Sequence, residues 1–299
     1  MAGGVERTLR RRIRSVQATK KITRAFELIA ASQIVRAQNR IAANRPFKEG
    51  MRRIVMEAAR DDEGARALMG VPESPKKVTV ALIVGDRGLS GPYNSSVLRA
   101  AEARVAHHRA AGAEVEIVAV GRKAAAYLRF RGREVSRSFV AMADRPSFAQ
   151  AREVAAELWA PFGNHQVDLV ELVSTRYRSA GSQSVEVLQL LPLPPHEGEA
   201  EGLSSPTGGY IEFEPDAVRL IGELVYRYLE SETFSALLEA SASEHASRQR
   251  AMAAATDNAD ELIRTYTRTM NRARQDTITN EIMEIVGGAE ALRSAKGAT

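Results

Sequence analysis

The 299 residues predict an α/β chain in which a long antiparallel coiled coil of N- and C-terminal helices carries an inserted, doubly wound, mostly parallel α/β head domain. Three observations carry this reading. Apolar residues recur at three- and four-residue steps over the last ~80 residues; a second such stripe fills the first ~55; between them, short β-branched runs alternate with helical patterns. The segments are 1–70 for the N-terminal helix, 76–209 for the head and 210–299 for the C-terminal helix.

From Asp216 to Ala295 the sequence reads as one helix. Leu220, Leu224, Tyr228, Leu237, Leu238, Ala242, Ala246, Met252, Ala259, Ile263, Tyr266, Met270, Ala273 and Thr277 hold one face apolar, and no proline interrupts them. At 1.5 Å per residue such a rod is about 120 Å long and cannot fold onto itself. Its opposite face is rich in Glu, Arg, Asp and Ser, which excludes a membrane span and leaves a coiled coil. The partner stripe is Leu9, Ile13, Val16, Ile22, Phe26, Ile29, Ile34, Ala37 and Ile41. Pro46 lies within it and predicts a bend or local break near Asn44 to Phe47 before Met51, Ile54 and Val55 resume. Two amphipathic helices at opposite chain ends, each with one apolar face, satisfy each other as an antiparallel pair.

The period changes after the turn-rich linker Gly70 to Pro75. Val78 to Val84 is a continuous aliphatic run, as for a strand buried on both faces. Asn94 or Ser95 supplies a cap for a helix ending near Gly112. Glu114 to Val120 predicts a second strand, followed by a short helix to Phe130 with a stop at Gly132, and Glu134 to Phe139 a third strand. Ser147 predicts the cap of a helix over Phe148 to Phe162. Val167 to Ser174 and Ser184 to Leu191 then form a hairpin around Ser179-Ala180-Gly181. Pro192 to Gly209 reads as a loop, and Pro215-Asp216 restarts the helix.

Composition narrows the chemistry. With 44% hydrophobic and 26% charged residues the chain has the balance of a soluble protein with a sizeable core. Residues 1–60 hold fifteen Lys/Arg against four Asp/Glu, a charge of +11 in a chain whose total is +5. Such an arm fits an acidic partner: nucleic acid, anionic lipid or an acidic protein surface. Few aromatics accompany it and no nucleic-acid signature does, which favours the protein surface over a nucleic-acid-binding coiled coil, the alternative kept open. The absence of cysteine excludes disulfides, thiolate zinc sites and thiol catalysis. The N-terminus lacks the apolar core of a signal peptide, and its pattern runs unbroken to about Arg60, predicting no cleaved leader.

Gly85 to Asn94 follows the first strand and opens a helix, where α/β proteins bind phosphate. It has neither G-x-G-x-x-G nor G-x-x-x-x-G-K-[ST] spacing and reads instead as a tight turn. Ser90 fails the nucleophile-elbow pattern because Pro92 stands at the glycine position. The five histidines, His107, His108, His165, His196 and His245, have no metal-ligand spacing, and no carboxylate pair suggests acid/base chemistry. The expectation is a chain with no catalytic site, metal or cofactor of its own.

Gln17 to Ser32 (QATKKITRAFELIAAS) and Asn271 to Ile282 (NRARQDTITNEI) resemble the signature segments of the gamma subunit of F-type ATP synthase, and Asp86-Arg87-Gly88-Leu89 resembles that family's head loop. The likeness spans nearly the whole chain. It implies a rotor shaft standing in a ring of three alpha and three beta subunits. The head and lower coil would then contact epsilon and the c-ring, coupling proton-driven rotation to conformational cycling of the beta subunits. It further implies that Lys20, Lys21, Arg24 and Phe26 face acidic beta-subunit loops. Arg274 and Gln275 correspond to the family's contacts with the beta-subunit catch loop, and Ile278, Ile282, Ile285 and Val286 to its apolar pivot. Phe26 stands where the family often has methionine, and Pro92 in a segment that usually has glycine. The chloroplast form's cysteine-bearing insert has no counterpart here, which points to a bacterial protein at the cytoplasmic face of the plasma membrane, held there only through the complex.

Overall fold

A computed structural model describes residues 2–58, 73–194 and 217–296. The expected linker residues 70–72, loop residues 195–209 and the helix restart at Pro215 and Asp216 lie outside the described residues. The elements are α1 (Ala2–Ala58), β1 (Lys77–Ile83), α2 (Tyr93–Ala110), β2 (Glu114–Val120), α3 (Arg122–Phe130), β3 (Arg137–Phe139), α4 (Phe148–Gly163), β4 (Leu169–Tyr177), β5 (Gln183–Leu191) and α5 (Ala217–Lys296). They fall into two compact units, Met1–Ile29 with Gln249–Thr299, and Ala30–Arg248.

The unit 30–248 is built on a five-stranded sheet ordered β3-β2-β1-β4-β5. β1 pairs in parallel with β2 and β4, β2 in parallel with β3, and only β4 and β5 are antiparallel. That is the doubly wound sheet with an antiparallel edge that the alternating pattern predicts. Both faces are covered, which is why β1 reads as a nearly continuous aliphatic run and β4 opens on apolar residues on either side of the buried Glu171. Val78, Val80, Leu82 and Val173 pack toward α2 and α3, while Ala81, Ile83, Leu172 and Leu190 pack with α4, α5 and Val55 of α1. Ser147 caps α4 in a reciprocal capping box with Gln150. The third strand is shorter than expected, since only Arg137–Phe139 reach β2.

Two corrections concern the helices. The expected caps Asn94 and Ser95 do not cap α2. It starts at Tyr93 after Pro92, whose φ of −80° suits a first turn, and no side chain caps it. Asn94 is used elsewhere, as described below. Of the bend or local break expected at Pro46, the break is absent, for α1 runs through it. Pro46, Ala42 and Ala43 are all exposed, so water can take the carbonyl bond that proline forfeits.

Along α1, the seam differs from the apolar stripe in the sequence. From Leu9 through Ile13, Val16, Lys20, Thr23, Glu27, Ala30, Ile34 and Ala37 to Val55, residues at strictly alternating four- and three-residue steps are shielded from solvent. This is a heptad repeat, the 3.5-residue period of a two-stranded coil. Ile22, Phe26 and Ile29, expected on the seam, sit one position off it and are 38–56% exposed. Polar Lys20, Thr23 and Glu27 hold the heptad positions, so apolarity alone misplaced the stripe by one residue.

α5 was expected to keep a solvated face along its length. Between Tyr228 and Arg248 it does not: every residue there is buried except Phe234 and Glu239, which are partly so. Small residues such as Ser231, Ser235, Ala236, Ala240, Ala242 and Ala246 let neighbours close in from several sides. The charges carried inside are paired. Glu230 receives Arg152 at 3.0 Å and Arg227 at 2.9 Å, and Glu232 receives Lys48 at 2.9 Å. Among the described residues, no helix is long and apolar enough to cross a membrane.

Candidate functional site

In the unit formed by 1–29 and 249–299, α1 and α5 pair antiparallel. The hydroxyls of Thr23 and Thr256 meet at 2.8 Å, and Lys20 reaches Asp260 at 2.6 Å. Each threonine also donates or leans back within its own helix, Thr23 to the Lys20 carbonyl and Thr256 to that of Met252. The partner positions on α5, Met252, Thr256, Ala259, Ile263, Tyr266, Met270, Ala273 and Thr277, again step by four and three, and none is exposed. Continuing this register residue for residue brings the start of α1 opposite about residue 277 of α5, so the remaining turns to Lys296 run on with no α1 residue facing them. Residues 281–289 are all exposed.

The sequence-derived site residues all lie in this unit but not in one place. At 100° per residue, Lys21 and Arg24 fall on one flank of the α1 seam and Phe26 on the other, beside Ile22. Lys20 is turned inward to Asp260, with about two-fifths of each side chain exposed. Arg24 bonds Glu27 at 2.7 Å. Roughly 20 Å farther along the pair, Arg274, Gln275, Ile278 and Ile282 share one exposed arc of about 100° on α5, turned away from the seam at Ala273 and Thr277. A guanidinium, an amide and two isoleucines thus form a continuous strip that combines polar recognition with apolar area.

Polar heptad positions such as Thr23 and Lys20 cost less to expose than leucine and set register more than stability. A double-mutant cycle on Lys20→Ala and Asp260→Ala is expected to give a coupling below about 1 kcal/mol that fades in 1 M salt, because the pair is half exposed. Thr23→Val should cost about 1 kcal/mol of unfolding free energy with no salt dependence, measured by urea denaturation.

In the unit 30–248, the loop after β1 lies where open α/β sheets hold ligands: β1 is central, and the chain winds outward from it on either side. Here the loop is filled by the protein itself. Asn94 accepts the Gly85 amide at 2.8 Å and donates to the Arg87 carbonyl and the Ser90 hydroxyl. Asp86 accepts the amides of Arg122, Ala141 and Ala143 at 2.9–3.2 Å, tying three loops together. α5 closes the crevice. Ser247 donates to the Ser90 carbonyl at 2.7 Å, Arg248 donates to that of Gly88 at 3.4 Å, and Arg248 pairs with Glu244. A Cβ at Gly85 would stand 2.6 Å from the Glu244 carboxylate. Burial pushes the Glu244 carboxyl up, with the Arg248 guanidinium opposing it, and burial and Arg248 together push His245 down. Of the glycines that invite a phosphate reading, Gly85 is therefore one of close approach to a helix, and Gly91 serves the turn with a φ of 54°.

Sequence reasoning missed Asp260, Thr256, Glu244 and Arg248, which look like ordinary surface residues of an amphipathic helix. It also missed the buried role of His108, which meets Glu171 at 2.9 Å beside Arg104. Of the others, His245 is buried against the Asp144 carbonyl, His107 and His165 are exposed, and His196 lies outside the described residues.

The likenesses agree with this geometry. A family model described as ATP synthase matches residues 6–292. The ATP synthase gamma chain of Parafrankia sp. (strain EAN1pec) is 46% identical over 298 residues, covering 98% of this chain and 99% of that one. That of Acidothermus cellulolyticus is also 46% identical, over 97% and 98%. Among solved structures, a chain of the Euglena gracilis mitochondrial ATP synthase in rotational state 3 aligns with TM-score 0.67 at 19% identity, covering 98% of this chain and 96% of that one, which speaks to the fold. A chain of the Tetrahymena thermophila mitochondrial ATP synthase central stalk and c-ring aligns with TM-score 0.61 at 24% identity, over 78% and 99%. The nucleic-acid reading of the basic arm finds no support in any of them. With nearly complete coverage at this identity, and with long terminal helices flanking a mostly parallel sheet in chain order, the chain belongs to the ATP synthase gamma chain family.

Proposed function

We propose that the chain is the central rotor shaft of an F-type ATP synthase, coupling proton-driven rotation of a c-ring to conformational cycling of the catalytic beta subunits. The observation that carries it is the near full-length likeness to gamma chains, joined to a coil whose outward surface is chemically unlike from side to side. Three chemically identical sites take different states only if something bound to them is asymmetric, because a ligand shifts an equilibrium by its differential contacts alone. The strip Arg274, Gln275, Ile278 and Ile282 provides one such contact, to a beta-subunit catch loop and the sleeve around it. Lys21 and Arg24, with Lys20 steadied by Asp260, face acidic beta-subunit loops, and Phe26 adds apolar contact on the other flank. The chain meets three alpha and three beta subunits, epsilon and the c-ring, and sits at the cytoplasmic face of a bacterial plasma membrane through the complex. It performs no catalysis itself. The crevice where an α/β domain would bind nucleotide is occupied by α5, which supports that reading.

Reconstitution with alpha and beta subunits tests this. The chain is expected to enter the hexamer and make its ATP hydrolysis cooperative. Arg274→Ala with Gln275→Ala should lower turnover roughly tenfold, the equivalent of one charge-assisted hydrogen bond lost at a transition. Because both side chains are exposed, the melting temperature of the free chain should not move. Unchanged turnover removes the catch contact, and failure to enter the hexamer overturns the rotor reading.

A further inference from the structure

We propose that the filled crevice is a torsional clasp: Glu244, Ser247 and Arg248 are positioning residues that fix the rotation of α5 about its own axis against the sheet, so that turning force does not slip there. This rests on the rotor reading above. Two loops grip the helix from different azimuths. On one side, Ser247 and Arg248 donate to the carbonyls of Ser90 and Gly88, with Glu244 laid against Gly85. On the other, Ser241 donates to the Asp144 carbonyl at 2.9 Å, and His245 approaches the same oxygen at 3.4 Å and the Asp144 carboxylate at 3.6 Å. At 100° per residue these contacts spread over about 160° of the helix circumference. Asp86 joins the two loops through the amides of Arg122, Ala141 and Ala143, so neither can follow the helix without the other. Over residues 240–248 the apolar side chains of α5 are Ala240, Ala242 and Ala246, and their packing alone resists rotation weakly because small residues present a smooth surface. Directional hydrogen bonds to fixed backbone carbonyls break with a small turn. α5 then continues past Arg248 as the same helix to Lys296.

The test uses the whole reconstituted enzyme in sealed vesicles, with proton pumping and ATP hydrolysis measured on the same preparation. Arg248→Ala and Gly85→Ala, whose new methyl displaces Glu244, should each lower protons pumped per ATP hydrolysed at least threefold in assembled complexes. Arg248→Lys, which keeps a donor, should recover part of the ratio. Ser247→Ala, the mildest change, removes only the bond to Ser90 and should give a smaller loss in the same direction; it reports even where the other variants fold poorly. A merely structural role would lower assembly and both activities together, and a ratio at the wild-type value in assembled variants would overturn the clasp. A wild-type chain that neither enters the hexamer nor supports pumping would overturn both the clasp and the rotor reading.

Discussion

Gly121→Ala is expected to abolish stable folding of the unit 30–248. Gly121 follows β2 and precedes α3 with φ +104° and ψ 138°, a backbone conformation closed to residues with a side chain, and it donates its amide to the Phe139 carbonyl at 2.8 Å. A Cβ there would overlap the carbonyl of Val84, the residue after β1, whose amide is tied to the Val120 carbonyl at 2.9 Å. Backbone strain of this kind costs about 1–3 kcal/mol, and overlap with fixed backbone adds to it, against a total stability of roughly 5–15 kcal/mol. Gly132→Ala is the internal control. Its φ is +66° and nothing stands within 4 Å of the added methyl, so only the left-handed penalty of about 1–2 kcal/mol applies. Urea denaturation followed by circular dichroism should show a folded, mildly weakened Gly132→Ala chain and no cooperative native transition for Gly121→Ala.

The second large effect is expected at Arg104. Glu171 lies in the middle of β4 with 3% of its surface exposed, facing α2. Arg104 grips it with two bonds of 2.6 and 2.5 Å, and His108 adds a third at 2.9 Å. Arg104→Ala leaves a buried carboxylate with the histidine alone, and breaking such a pair from one side costs about 3–5 kcal/mol. Adding Glu171→Leu to Arg104→Ala should return much of that loss, because no charge is then stranded. The pH dependence has a defined sign. Burial pushes the Glu171 carboxyl up, but the bonds from Arg104 and His108 outweigh it and hold the group below its ordinary value. A depressed carboxylate gives stability that is present above the unfolded pKa and is lost as pH falls through the folded one. Acid unfolding of the wild type should therefore draw on this pair below about pH 4, while Arg104→Ala, which lacks the two bonds that hold the carboxyl down, should lose less stability over the same acid range.

The sheet was legible in the sequence because burial on both faces makes β1 a nearly continuous aliphatic run and leaves residues 117–120 of β2 and most of residues 169–173 of β4 apolar, a signal that does not depend on their neighbours. α4 was legible because its cap is local, with Ser147 and Gln150 three residues apart. What escaped was decided at long range. Thr23 and Lys20 occupy heptad positions although they are polar, because Thr256 and Asp260 stand opposite, more than 230 residues away in the chain, while Glu27 at the next position bonds Arg24 on its own helix. Asn94 looks like a cap and serves as a loop brace. The Ser- and Ala-rich stretch 231–247 reads as half solvated, since small polar residues suit a wet face and a tightly enclosed helix equally well. The strip from Arg274 to Ile282 was found through family resemblance, and the 100° helical step explains why its four members share a face.

The turns of α5 that outrun α1 carry a further consequence. Around that single helix Ile278, Ile282, Ile285 and Val286 crowd one half of the circumference, while Asn280, Glu281 and Glu284 fall on the other. With no companion among the described residues to hide either half, a surrounding collar would meet oil on one bearing and acid on the opposite one. In the rotor proposed above, a third of a revolution would hand each neighbour a different solvent, and this stretch of the spindle would act as a cam whose profile is written in polarity rather than in shape.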